Sequence, residues 1–143
     1  MHILILMLAV AGGAGLSVEA GLLGPLGSEV GELWATFSIF AVGSALTFFL
    51  MLFFSDRNSA SFFSQPGWTL TGGILGPVYV VSLTLATPVI GVAMTMIAIL
   101  TGQIGKSLLI DHFGWFGGKQ RKIDKDRLAA LVLIVAALIF ISQ

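Results

Sequence analysis

Glu19 is the one carboxylate that falls inside an apolar stretch of this 143-residue sequence. Acids kept in such surroundings usually face a cavity, a partner or a proton path, because burying the charge alone is costly. Glu19 could therefore exchange a proton or hold a cation. Tyr79, the only tyrosine, offers a hydroxyl that needs a partner when buried and a ring face that can hold a cation. Ser17, Ser44 and Gln103 add small hydrogen-bonding groups within apolar runs. The bland alternatives are interfacial hydration for Glu19 and helix-to-helix hydrogen bonding for Gln103. Gln103, Ser107 and Asp111 recur every four residues and would share a helix face. Lys106 falls off that face, and its stem can reach toward water.

Several chemistries are excluded. With no cysteine, no disulfide, thiolate nucleophile or Cys-based metal site can form. Gly105-Lys106-Ser107 resembles the end of a phosphate-binding loop, but position 100 is Leu where that motif needs Gly, and no strand precedes it. No HExxH, GxSxG or paired-carboxylate arrangement occurs, so an enzyme is not expected and no cofactor or metal is called for. A net charge of zero gives no basis for nucleic-acid binding.

The elements that position these groups follow from composition. The chain is 57% hydrophobic and only 10% charged, with a mean hydropathy of +1.02. A soluble 15.0 kDa globule could not hide that much apolar surface, so the expected solvent is lipid. A spanning helix needs roughly 20 apolar residues. Five stretches qualify: residues 3–23, 33–54, 68–85, 88–109 and 127–141. The expected fold is all-α integral membrane, a single domain over 1–143. Ala86-Thr87-Pro88 is the expected break between the third and fourth spans, because proline disfavours helix at the residue before it. The first stretch lacks a positive leader segment and stays apolar past Ala20, so it reads as a retained span rather than a signal peptide.

With five spans, all seven Lys and Arg residues (Arg57, Lys106, Lys119, Arg121, Lys122, Lys125 and Arg127) fall on the side of the N-terminus. The positive-inside rule then places the N-terminus in the cytoplasm and the C-terminus outside. Trp34, Trp68 and Trp115 stand at span ends, where tryptophan favours the headgroup level. The span centres are built from small residues or proline: Gly13, Gly43-Ser44 and Gly76-Pro77. Rows such as Gly13–Ser17–Gly21 allow close helix approach. Pro77 would free the carbonyl of Gly73 and bend its helix, and interrupted helices at mid-depth often border transporter sites.

Gly72-Gly73-Ile-Leu-Gly76-Pro-Val-Tyr79, then Thr-Gly102-Gln103 and Ser-Leu-Leu-Ile-Asp111-His112-Phe-Gly114-Trp-Phe-Gly117, resembles the YdcZ (DUF606) group of the drug/metabolite transporter superfamily. The likeness covers nearly the whole chain. It implies a small bacterial inner-membrane transporter that works as an antiparallel pair of five-span halves, partnered by an oppositely oriented homologue or by a second copy of itself. Three positions depart from the group's pattern. Glu19 and Leu23 align with a usual Gln and Asn, Lys106 occupies a usually small or apolar position, and Pro77 replaces a usual Ala.

The function expected is therefore alternating-access movement of a small metabolite or organic cation. Ser17, Glu19, Ser44, Tyr79 and Gln103 are the candidate substrate contacts, and Pro77 the bend. The alternative is a non-transporting structural or regulatory membrane subunit, which would leave no intramembrane polar group unsatisfied. A channel would need a more continuous polar path than these spans offer.

Overall fold

The computed structural model describes residues 2–55, 62–118 and 120–143. Among these the secondary structure is helical throughout. The long helices are α1 (His2–Val30), α2 (Glu32–Phe54), α3 (Gly72–Phe113) and α4 (Lys125–Ile141), with short 3-10 turns at Phe62–Ser64, Gly67–Thr71 and Trp115–Gly117. Three stretches are long and apolar enough to cross a membrane: His2–Val30, Glu32–Phe54 and Gly67–Phe113. Arg57 and Lys119, part of the charge count above, lie outside the described residues.

Glycine decides where the helices stop. α1 runs through Pro25 and ends at Gly31, whose φ of 90° and ψ of 147° are closed to ordinary L side chains. The Gly31 amide donates to Gly27 O at 2.9 Å, and its own carbonyl accepts from Ala35 N at 3.0 Å. α2 therefore starts with almost no linker. α3 contains one comparable interruption, at Gly91 (φ 78°, ψ 161°).

That corrects the expected break at Ala86-Thr87-Pro88. The helix continues through those residues, and its backbone leaves helical angles only at Gly91. Proline costs its helix one hydrogen bond, but a packed neighbour can hold the backbone through it. Glycine alone takes a positive φ without a Cβ clash. Pro77 likewise lies within continuous helix.

The chain divides into two compact units, residues 1–89 and 90–143. In the first, the well-buried residues are Ala20, Leu23, Gly24 and Gly27 of α1, Ala35 and Thr36 of α2, and Val80, Leu83, Thr84 and Thr87 of α3. On α1 and α3 these recur at intervals of three and four, one helix face each. Small residues let the two backbones come close. A methyl group built on Gly24 would lie 3.0 Å from Thr87 Cγ2 and 3.7 Å from the Pro88 ring. One on Gly27 would collide with Thr84 Cγ2. In lipid there is no hydrophobic drive to bring helices together, so close packing of this kind carries the association. Away from this seam the unit is open: residues 2–16, 41–55 and 63–75 are exposed throughout.

The second unit is tied at one end. Arg127 Nη1 meets Asp111 Oδ2 at 3.2 Å, and the Arg121 amide donates to Asp111 O at 2.7 Å. Asp124 caps α4 by accepting from Arg127 N at 2.9 Å. Lys106 Nζ stands 4.9 Å from the centroid of the Trp115 ring, which stacks on Phe113. Gly114 (φ 64°) makes the sharp reversal that brings these groups back together.

Candidate functional site

Glu19 and Tyr79 both lie at the edge of the seam. Glu19 precedes buried Ala20 by one residue, and Tyr79 precedes buried Val80 by one. Each is therefore at the edge of its packed face and half-buried. The Glu19 carboxylate acts electrostatically on the Tyr79 hydroxyl. That hydroxyl is shut off from solvent and has no hydrogen-bond partner. An orphaned buried donor of this kind costs about 1–3 kcal/mol until it is satisfied.

Ser17 and Ser44 are placed differently. Ser17 Oγ bonds back to Gly13 O at 3.3 Å, within its own helix. Ser44 lines an open recess of about 860 Å³ along α2, together with Ile39, Phe40, Gly43, Thr47, Phe48 and Met51. That volume lies within the range of small-molecule sites, on the order of 300–1,000 Å³. The recess is apolar, with the Ser44 and Thr47 hydroxyls as its polar groups, and Thr47 Oγ1 is already bonded to Gly43 O at 2.8 Å. The Phe40 ring closes one edge: a methyl on Gly76 of α3 would sit 3.2 Å from Phe40 Cζ. Gly76 is therefore kept small so that this ring can lie against the α3 backbone, three residues before Tyr79.

Gln103 belongs to the second unit and is exposed. On its face Ser107 bonds to Ile104 O at 3.0 Å, and Asp111 is committed to Arg127. The Asp111–Arg127 pairing was not anticipated from sequence. Its signal was present: opposite charges flanking a glycine-rich aromatic turn. Also unanticipated are Thr36 and Thr87, whose buried hydroxyls lack partners, and the similarly orphaned Nδ1 of His112.

The candidate residues thus offer one carboxylate, one phenol, an amide and aliphatic hydroxyls, and the structure does not gather them into one pocket. Among the described residues there is no group of three or more His, Asp or Glu able to hold a metal ion. A family model described as "Putative inner membrane exporter, YdcZ" matches residues 4–140. No curated protein and no solved structure matches the chain. The apolar helices and the family agree on a membrane location and a transporter class rather than an enzyme class. With the match running over all but the last few residues at each end, the chain belongs to the DMT_YdcZ family.

Proposed function

We propose that this protein is a five-span half-transporter that exports a small metabolite or organic cation by alternating access. In this reading Gly91 separates two spans within α3, and α4 is the fifth. The N-terminus is cytoplasmic and the C-terminus outside, in a bacterial inner membrane. An odd number of spans means that a complete pair of inverted halves requires an oppositely oriented partner. The charge asymmetry favours a second homologue; the competing arrangement is an antiparallel homodimer. Ser17, Glu19, Ser44, Tyr79 and Gln103 contact the substrate, with Pro77 shaping α3 between Gly76 and Tyr79.

The observation that carries this reading is the Tyr79 hydroxyl, buried and unpartnered within electrostatic reach of Glu19. A purely structural subunit would have its intramembrane polar groups satisfied, and the orphaned hydroxyls of Tyr79, Thr36 and Thr87 speak against that. Reconstitution into proteoliposomes tests it. Purified protein, alone and with a paired homologue, should move a fluorescent quaternary-ammonium dye or a pool of labelled metabolites against a gradient. No solute-dependent flux in either preparation would refute transport.

A further inference from the structure

The two helix-breaking glycines share more than their backbone angles. Counting back four, seven, eight and eleven residues from Gly31 gives Gly27, Gly24, Leu23 and Ala20. The same steps back from Gly91 give Thr87, Thr84, Leu83 and Val80. All eight are buried, and they are the whole buried set of α1 and of residues 72–89 among the described residues. Four residues beyond each glycine is another buried position, Ala35 in one case and Thr95 in the other. Two helix–glycine–helix segments thus repeat one register of burial, although their sequences differ.

The contact between them is reciprocal. Gly24, seven before its glycine, faces Thr87, four before the other. Gly27, four before, faces Thr84, seven before. Each helix offers the other the same pair of positions, which is the signature of a local two-fold crossing. At the closest approach threonine methyls meet glycine backbone, and Leu23 and Leu83, both fully buried, pack beside them. Beyond it, residues 2–16 of α1, 41–55 at the α2 end and 63–75 before α3 are all exposed.

We propose that the Gly24/Gly27–Thr84/Thr87 crossing is the pivot of this half-transporter. It rests on the transport reading above. The crossing stays closed in every state, and the open arms on the N-terminal side of α1 and the start of α3 swing about it. Two-fold contacts between small groups suit this. Small groups at the closest approach let the axes tilt slightly, while the buried Leu23 and Leu83 beside them hold the crossing closed.

The chain has no cysteine, so labels can be placed at will. Spin labels on Ser28→Cys with Val89→Cys, beside the crossing, should give one narrow distance in lipid nanodiscs. Labels on Leu8→Cys with Leu75→Cys, on the two arms, should give a distribution at least twice as wide or with two components. Equal widths would overturn the pivot, and this measurement needs no substrate. In a second arm, Gly27→Cys with Thr84→Cys is oxidised. The Cβ of residue 27 lies 3.7 Å from that of Thr84, within the disulfide window of about 3.5–4.5 Å. The bond should form within the monomer, and flux should stay within twofold of the reduced protein. Failure to cross-link, or a tenfold loss of flux that reductant restores, would refute the proposal. If the reduced protein and its parent move no solute at all, the transport reading fails, and the spin-label widths still decide whether the crossing is the fixed point.

Discussion

Gly27 and Thr84 leave no room between them for a methyl group. This contact, across the α1–α3 seam, makes the identity of residue 27 a packing requirement rather than a conformational one. Gly27→Ala should lower thermal stability by about 1–3 kcal/mol, the usual cost of overpacking. Thr84→Ser removes Cγ2 but keeps the hydroxyl that bonds Val80 O at 2.8 Å. The double variant should recover most of the loss. Melting in detergent or lipid, read as a double-mutant cycle, checks it; a double variant no better than Gly27→Ala would locate the strain elsewhere.

Gly31 and Gly91 are required for the opposite reason. Open space surrounds each Cα, but φ is 90° and 78°. Alanine at either should cost about 1–3 kcal/mol through the backbone alone. Gly12 and Gly43 are helical and also open, so alanine there should be neutral or stabilising by a few tenths of a kcal/mol up to about 1 kcal/mol. Comparing these four melting temperatures with that of Gly27→Ala separates conformational from packing roles.

Tyr79→Phe removes a hydroxyl that has no partner in this structure. Stability should therefore hold or rise, while dye affinity falls several-fold if the phenol contacts substrate. Glu19→Gln keeps the shape and removes the charge, and its flux should lose dependence on a proton gradient. A Tyr79→Phe protein that melts lower with unchanged affinity would assign the hydroxyl a structural bond instead.

At the other end of the chain, Asp124→Ala removes the cap of α4 and should cost about 0.5–2 kcal/mol. Asp111→Asn breaks a partly exposed ion pair with Arg127, and below about 1 kcal/mol is expected. Hydrogen exchange at residues 125–128 should rise in the first variant far more than in the second.

How much was legible beforehand depends on the residue. Glu19 and Tyr79 stood out because a charged group and a phenol are conspicuous in apolar runs. Their place at the edge of the packed seam did not, since it depends on which faces of α1 and α3 meet. The row Gly13–Ser17–Gly21 looked like the packing stripe, yet Gly13 faces open space and the buried row lies further along, at Ala20, Leu23, Gly24 and Gly27. Small-residue spacing marks where helices can approach, and several rows satisfy it. The break expected at Pro88 lies at Gly91 because a proline's lost hydrogen bond is tolerated within a packed seam, while a positive φ is not available to Thr87.

Composition alone determined that this is an apolar helical chain for a lipid environment, and its motif residues pointed to the family, because both are carried by residue type and local spacing. Only the tertiary structure decided which of the many small residues touch, that Gly24 and Gly27 answer Thr87 and Thr84 in reverse order, and that the buried Tyr79 hydroxyl is left without a partner. Those facts depend on the rotation and register of one helix against another. In lipid that choice rests on fit between surfaces rather than on burying apolar area, so hydropathy carries no record of it.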